Sequence, residues 1–270
     1  MTLDQSSANL LQSSLAPGGI LRLTLNDPDH RNALSEEMLV ALADVFDQAG
    51  DNPHVRVIIL GAAGPVFCSG HDLKQMTAAR QNADRGRAYF TKILTQCSSV
   101  MQKIVTCPKP VIAEVGGVAT AAGCQLVASC DLAVVSDAAQ FCTPGVHIGL
   151  FCSTPMVALS RNVANKHAME MLLTGDMVTA SRAAEMGLIN HIVPAAELCA
   201  ASMALAQKIA AKSSLTLATG KRAFYQQKEM NLAAAYNYAA KIMVDNMLAR
   251  DAEEGIAAFI EKRPPDWLDE

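Results

Sequence analysis

The 270-residue sequence has little charge of either sign and no dense cluster of it. Lysine and arginine number 22 against 26 aspartate and glutamate, which gives a net charge of −4. The densest basic group is Arg80, Arg85 and Arg87, which we expect at an exposed helix start. Because nucleic-acid binding depends on neutralising phosphates with basic side chains, the sequence predicts no nucleic-acid partner.

Long apolar runs are absent as well. The longest uncharged apolar stretch covers residues 115–130 and contains three glycines. A membrane-spanning helix needs ~20 apolar residues, so we predict no membrane span and assign this stretch to the core. The N-terminus has no basic residue before Arg22, whereas secretory signals and mitochondrial transit peptides both need basic residues. This composition predicts a cytoplasmic protein.

Motifs for metals and nucleotides are missing too. The eight cysteines form no C-x-x-C pair, and no group of histidines accompanies them, so no metal site is predicted. Most cysteines lie in apolar surroundings, which is typical of reduced thiols in a core. Neither G-x-G-x-x-G nor G-x-x-x-x-G-K-[ST] occurs, and no cofactor is predicted.

Alternating strand and helix patterns fill the first part of the chain. "GILRLTLND", "VRVIILG", "KPVIAEVGG" and "DLAVV" read as strands, while "SEEMLVALADVFDQAG", beginning with a capping box at Ser35, reads as a helix. We predict an α/β domain of stacked short sheets over residues 1–195. Residues 196–270 show helical periodicity with apolar faces, which suggests a helical region that makes subunit contacts.

Two glycine-containing loops each follow a predicted strand. They span residues 64–76 and residues 115–126, and the second leads into a short helix. Backbone N–H groups at a helix start have no partner inside the helix, so two such loops can aim two amides at one carbonyl oxygen. That arrangement is an oxyanion hole. The residues alone leave tight turns between strands equally open.

Four runs resemble the enoyl-CoA hydratase/isomerase (crotonase) superfamily. They are "PDHRNALSEEM", "FCSGHDLKQM", "PVIAEVGGVATAAGCQLVASCDLAVVSDAAQF" and "EEGIAAFIEKRPPDW", and the resemblance covers residues 18–268. The runs "AAGCQLVASCD" and "GLFCSTP" are most similar to the enoyl-CoA hydratase domain-containing members. The resemblance implies a crotonase-like spiral of ββα units with a helical C-terminal trimerisation region, and homotrimers or hexamers made of two trimers.

The resemblance also implies a site for a coenzyme A thioester as substrate. The family's two oxyanion-hole amides correspond to those of His71 and Ala122. The segment that cradles the adenine and pantetheine of CoA corresponds to residues 69–73. The residues with a binding role implied by the resemblance are then Arg31 near the phosphates of CoA, Lys262 near CoA from the C-terminal helix of the same or a neighbouring subunit, and Ser69, Gly70, Leu73 and Gly123 in the loops.

Both glutamates that the family's hydratases use are replaced at the matching positions, by Gln125 and Gly145. Hydration needs a base that activates water and an acid that protonates Cα. An amide does not titrate near pH 7, although Gln125 could orient a water, and glycine offers only space. Since each acid/base role is worth roughly 10²–10⁴ in rate, the usual hydration route should be severely impaired.

Other groups near these positions offer replacement chemistry, each beside a structural alternative. His147 is a candidate base or a structural histidine, and the His71 side chain could have a chemical role as well as its backbone one. A cysteine nucleophile needs a base or positive charge nearby. The remaining candidates for chemistry or for a structural role are Asp72, Glu114, Asp131, Cys142, Cys152, Ser153 and Thr154, with Asp72 favoured as a helix cap and Ser153 or Thr154 as another.

Four functions therefore stay open at this point. The first is an enoyl-CoA hydratase or isomerase of fatty-acid or acyl-CoA metabolism with atypical acid/base residues. The second is a non-catalytic acyl-CoA-binding protein. The third is another reaction on the same scaffold, such as thioester hydrolysis or decarboxylation, and the fourth is a purely structural oligomer.

Overall fold

A computed structural model describes residues 10–270 of the chain. The first nine residues, part of the N-terminal stretch used above to predict the cellular location, lie outside this range. The strands are Leu11–Ala16 (β1), Ile20–Leu25 (β2), Val57–Ala62 (β3), Val66–Cys68 (β4), Val111–Val115 (β5), Val118–Thr120 (β6), Leu132–Ser136 (β7), Gln140–Cys142 (β8), Val178–Thr179 (β9) and His191–Val193 (β10).

The helices alternate with these strands and then follow one another at the C-terminal end. They are Glu36–Asp51 (α1), Leu73–Ala79 (α2), Arg87–Thr106 (α3), Ala122–Ser129 (α4), Ser153–Leu159 (α5), Asn165–Thr174 (α6), Ala180–Glu185 (α7), Leu198–Ala210 (α8), Ser214–Gln227 (α9), Leu232–Met247 (α10) and Arg250–Glu261 (α11). None of the helices described in residues 10–270 is long and apolar enough to cross a lipid bilayer.

The strands form two sheets between which the chain passes repeatedly. The first sheet has the order β1-β2-β3-β5-β7-β10 and the second β4-β6-β8-β9. In the first sheet β1 and β2 are antiparallel and the other pairs parallel; in the second only β8 and β9 are antiparallel. The units β3-β4, β5-β6 and β7-β8 each contribute one strand to each sheet before a helix. The predicted α/β spiral of ββα units is confirmed.

The first sheet is covered on both faces, which explains the continuous apolar runs of its central strands. Ile58 and Leu60 of β3 face the large core, while Val57 and Ile59 face a smaller one. Leu198 and Ala206 of α8 close this smaller core. The first helix after residue 196 thus packs on the sheet, and the predicted division at residue 195 stays a prediction.

The three predicted helix caps have different outcomes. The Ser35 side chain accepts from the Met38 amide at 3.2 Å, but Met38 is the third helical residue and has no carboxylate to return the bond. The capping box is therefore only half present. Asp72 caps α2 as predicted, accepting from the Lys74 amide at 2.7 Å. The prediction that Ser153 or Thr154 caps α5 is wrong, because the helix begins at Ser153 and the N-cap residue is Cys152.

Candidate active site

The two glycine loops contact each other at three glycines. A Cβ on Gly117 would lie 1.9 Å from the Pro65 carbonyl oxygen, and one on Gly123 would lie 2.2 Å from the Cys68 carbonyl oxygen. Gly70 has φ +89, and a Cβ there would lie 3.2 Å from the Ala122 amide nitrogen. Only glycine permits these approaches. The loops therefore interlock, with Gly70 directly against the start of α4.

A side-chain hydrogen bond adds to this contact. The Thr120 hydroxyl of β6 donates to the Ser69 carbonyl at 2.9 Å, which ties the end of β6 to the first loop. Together with the parallel pairing of β4 and β6, this bond fixes the loops relative to each other.

The carbonyl partners of the two candidate donors define which way their amides point. The Gly70 carbonyl accepts from the Leu34 amide at 2.8 Å, and the Ala121 carbonyl accepts from the Gln125 amide at 3.1 Å. In a trans peptide the N–H points opposite to the carbonyl, and no cis bond occurs in the described chain. The His71 amide therefore points away from Leu34, and the Ala122 amide points away from the body of α4.

Ala121 holds the second loop in an unusual conformation. Its φ is +51 and its ψ −119, a region that alanine rarely adopts and that costs of order 1–3 kcal/mol. Its amide donates to the Cys142 carbonyl at 2.9 Å, and its carbonyl starts the hydrogen-bond ladder of α4. These two bonds hold the strained residue directly before Ala122, the first residue of α4.

Gln125 lies one turn into α4 and is buried, with 3% of its surface exposed. Its Oε1 has no hydrogen-bond partner among the residues that the structure describes. Gly145 is also buried, in a 3-10 helix over Pro144–Ile148 that follows β8. Neither residue can donate or remove a proton at its side chain near neutral pH.

The two histidines singled out from the sequence differ in setting. His147 is exposed, and its Nε2 contacts the Thr174 carbonyl at 2.8 Å. This bond directs the ring towards α6. The ring of His71 is largely buried, with both nitrogens unpartnered among the described residues, and burial lowers its pKa. Thus neither imidazole is set up as a paired acid or base in this structure.

Thiols line the neighbourhood of Gly145. Cys124, Cys142 and Cys152 are buried and free. Burial raises the pKa of all three thiols, that of Cys142 to about 11. They are neutral at pH 7, and a reactive thiolate is disfavoured. Within residues 10–270 no group of three or more metal-ligating side chains is placed to hold a metal ion.

The positions implied for CoA binding fall into two places. Arg31 is exposed, and its carbonyl accepts from the Ser69 amide at 3.1 Å, so it lies beside the first loop. Leu73, half exposed, begins α2 directly after that loop. Lys262 ends α11 with φ +58. The tail beyond it is fixed at the start of β3, where Asp269 pairs with Arg56. The predicted role of Lys262 stays a prediction.

Asn32 is a site residue that sequence reasoning missed. It is fully buried, and its Nδ2 donates to the carbonyls of Ala63 at 2.8 Å and Val66 at 2.7 Å. Its φ is +51, which asparagine tolerates better than most residues. The asparagine in "DHRNAL" therefore fixes the start of the first loop, and its left-handed preference is the feature of the sequence that could have indicated this.

Comparison with known proteins shows which family the chain belongs to. The model of the family described as "Enoyl-CoA hydratase/isomerase" matches residues 16–270. The chain belongs to the enoyl-CoA hydratase/isomerase family. It is 48% identical over 258 residues to "Enoyl-CoA hydratase domain-containing protein 3, mitochondrial" of Rattus norvegicus, covering 95% of this chain and 84% of that protein.

Solved crotonase-fold structures superpose closely on the chain. The enoyl-CoA hydratase of Mycobacterium smegmatis is 46% identical with a TM-score of 0.91, covering 96% of this chain and 98% of that one. The human enoyl-CoA hydratase domain-containing protein 3 is also 46% identical, with a TM-score of 0.90, covering 96% and 100%. The resemblance to this family and its fold, stated from the four runs, is confirmed.

The predicted cytoplasmic location is contradicted by the same comparison. The rat relative is named a mitochondrial protein, and so is the one from Homo sapiens. A cellular address is read from a targeting segment and not from the folded domain. The names of these relatives point to a mitochondrial location, and the cytoplasmic prediction from the first residues is wrong.

Proposed function

We propose that this enoyl-CoA hydratase/isomerase family member binds acyl-CoA thioesters, with the thioester oxygen between the amides of His71 and Ala122. The observation that carries this is the interlocking of the loops, which brings the peptides 70–71 and 121–122 close together. Their carbonyls accept hydrogen bonds from the Leu34 and Gln125 amides, so their own N–H groups point away from those residues. Such an oxyanion hole is typically worth ~3–4 kcal/mol per donor in the transition state.

The loop around residues 69–73 and the exposed Arg31 would then hold the CoA portion. Arg31 offers a guanidinium suited to phosphate, and it lies against Ser69 through its own carbonyl. Lys262, from this chain or from a neighbouring subunit, would add a second cation; within one chain the tail beyond it is fixed at the start of β3, where Asp269 pairs with Arg56.

We infer that hydration by two carboxylates is not the activity of this site. Gln125 and Gly145 lack a titrating group, and His147 is held by the Thr174 carbonyl. What the residues present support is binding of the thioester and stabilisation of an enolate by the two amides. Thioester hydrolysis through a nucleophilic Cys142 or Cys152 is not supported, because burial raises the pKa of both thiols.

We also propose that the chain forms homotrimers, or hexamers of two trimers, through the helical region. Helices α9–α11 expose large apolar side chains, which a solitary domain rarely does over a contiguous area. The exposed residues on these helices include Phe224, Leu232, Tyr236, Met243, Val244, Met247, Ile256, Phe259 and Ile260.

Crotonyl-CoA tests the catalytic proposal directly. We expect the wild type to bind crotonyl-CoA by calorimetry but to consume its enoyl absorbance no faster than a heat-treated control. A variant combining Gln125→Glu, Gly145→Glu and Cys152→Ala restores both carboxylates and removes the Cys152 thiol, one of the two close contacts of a side chain at position 145, and thermal melts show whether it folds despite the remaining contact with the Leu150 carbonyl oxygen. Gain of turnover in this variant supports the proposal; rapid turnover by the wild type would contradict it.

A further inference from the structure

Gly145 lies beside the second loop because of the pairing of β6 and β8. Thr120 and Cys142 are opposite each other in this parallel pair, and the Ala121 amide donates to the Cys142 carbonyl. Both strands end at this point. The chain after β8 therefore leaves the sheet next to the strained Ala121, and Gly145 is only three residues further on.

The space beside Gly145 is already filled. The Leu150 amide donates to the Gly145 carbonyl at 2.9 Å, which folds residues 145–152 back on themselves. A Cβ on Gly145 would lie 2.7 Å from the Leu150 carbonyl oxygen and 2.9 Å from the Cys152 Sγ. The thiol of Cys152 and a backbone oxygen thus occupy the volume where any side chain at position 145 would begin.

Cys152 belongs to the same packed cluster as α4. It is the N-cap of α5, and α5 packs directly against α4, the helix that begins at Ala122 and carries Gln125. Burial raises the pKa of the Cys124 thiol, with Cys142 and Cys152 adding to it. The wall formed here therefore carries no charge.

Gln125 supplies an independent observation in this cluster. Its residue is buried, yet its Oε1 has no partner among the described residues, and a buried polar atom without a partner is costly. A water that accompanies the ligand would satisfy it.

We propose that the Cys152 thiol is a specificity-determining wall of the acyl pocket, replacing a side chain at position 145, and that it favours acyl groups without a polar substituent at Cβ. This inference rests on the proposed binding of acyl-CoA thioesters. A polar 3-hydroxyl against a thiol wall would lose its water without gaining a good partner. Sites of this kind discriminate single-group differences by about 10–200-fold.

The test compares the affinities of free CoA, butyryl-CoA and 3-hydroxybutyryl-CoA for the wild type and three variants by calorimetry. We expect the wild type to prefer butyryl-CoA over 3-hydroxybutyryl-CoA by about 10-fold or more. Cys152→Ser should reduce this preference several-fold. Cys152→Ala should weaken the binding of butyryl-CoA while leaving the affinity for free CoA unchanged. The control is Cys199→Ala, which removes the exposed cysteine on α8 and should behave as the wild type.

The outcomes separate the two proposals. If the wild type binds butyryl-CoA more tightly than free CoA, and both Cys152 variants keep the wild-type preference, the role of Cys152 is overturned and acyl-CoA binding stands. If the wild type binds none of the three compounds, both proposals are overturned. Thermal melts establish that each variant is folded, and the serine and alanine variants give two independent readings.

Discussion

Gly123 determines how closely the two loops approach. A methyl group at this buried position would lie 2.2 Å from the Cys68 carbonyl oxygen, a backbone atom that cannot move aside cheaply. We expect Gly123→Ala to lower the free energy of unfolding by roughly 1–3 kcal/mol, the usual cost of overpacking. It should also weaken acyl-CoA binding, because the Ala122 amide lies next to it. Urea denaturation and calorimetry measure the two effects.

Gly220 provides the matched control for this substitution. It lies in the interior of α9, and a Cβ there would meet nothing within 4 Å. Gly220→Ala should therefore be neutral or stabilising by about 0.5–1 kcal/mol, since alanine is the better helix former. Equal stabilities of the two alanine variants would contradict the close approach of the loops.

The buried ring of His71 makes stability depend on pH. Burial lowers its pKa in the folded chain below the ordinary value of about 6.5. Below that pH the unfolded chain binds a proton at His71 more readily than the folded chain does. The contribution of His71 to the free energy of unfolding is therefore fully present above about pH 6.5 and is lost as the pH falls. We expect His71→Gln to flatten this part of the profile in urea denaturation between pH 5 and 8.

His30 should have the opposite effect and serves as a sign control. Its hydrogen bond to Asp27 raises its pKa, so its contribution is present at low pH and is lost as the pH rises through the folded-state pKa. His30→Gln should thus steepen the loss of stability on acidification, whereas His71→Gln reduces it. A change of the same sign in both variants would show that the His71 assignment is wrong.

The residues of the site were predictable to different degrees. The positions proposed for the two amide donors, His71 and Ala122, came from the resemblance of the loop sequences to the family, and the structure brings these two loops into contact. The neighbours of Gly145 did not follow, since a glycine carries no side chain whose type would indicate a partner. The Cys152 contact arises from a chain reversal over residues 145–152 that no local periodicity encodes.

Helix α9 is attached to the sheet by a buried polar network. Lys221 is almost fully buried and donates to the carbonyls of Ile104 and Lys109, and its Nζ lies 2.7 Å from Asp131. Asp131 also accepts from the Val111 amide and the Tyr225 hydroxyl. Burial, with the carboxylate of Asp131 adding to it, raises the pKa of Tyr225.

Removing one member of this network should be costly. We expect Lys221→Met to destabilise the chain by about 3–5 kcal/mol, because a partly buried carboxylate loses its charge partner. The double variant with Asp131→Asn should lose much less than the sum of the two single losses. A urea double-mutant cycle measures this coupling, and additive losses would rule out a direct interaction.

Long elements were predicted and very short ones were not. Helix α1 has 16 residues of amphipathic pattern and begins after the capping residue Ser35, so periodicity was sufficient. Strands β4, β6 and β8 have three residues each, too few to show alternation; β4 and β6 were included in the predicted loops, and β8 was not predicted. Their pairing is set by contacts between distant segments, which a local pattern does not contain.

The apolar surface of the helical region bears on the assembly of the whole molecule. Phe259 and Ile260 on α11 are 84% and 72% exposed. If subunits meet there, Phe259→Asp should convert trimers into monomers, since a carboxylate would be buried without a partner. Light scattering after size exclusion gives the mass.

Val40→Asp is the control for this prediction, because Val40 is an exposed apolar residue on α1 in the α/β body. It should leave the mass unchanged. A monomeric wild type at micromolar concentration would contradict the proposed trimer.

The interlocked loops also have a consequence for how the chain folds. Thr120 and Ser69, joined by a hydrogen bond, are 51 residues apart in the sequence. Closing such a separation costs chain entropy, and non-local contacts of this kind slow folding relative to local helices. In a refolding experiment helical circular dichroism should recover first. The capacity to bind a CoA thioester should return later, at the step in which β4, β6 and β8 come together.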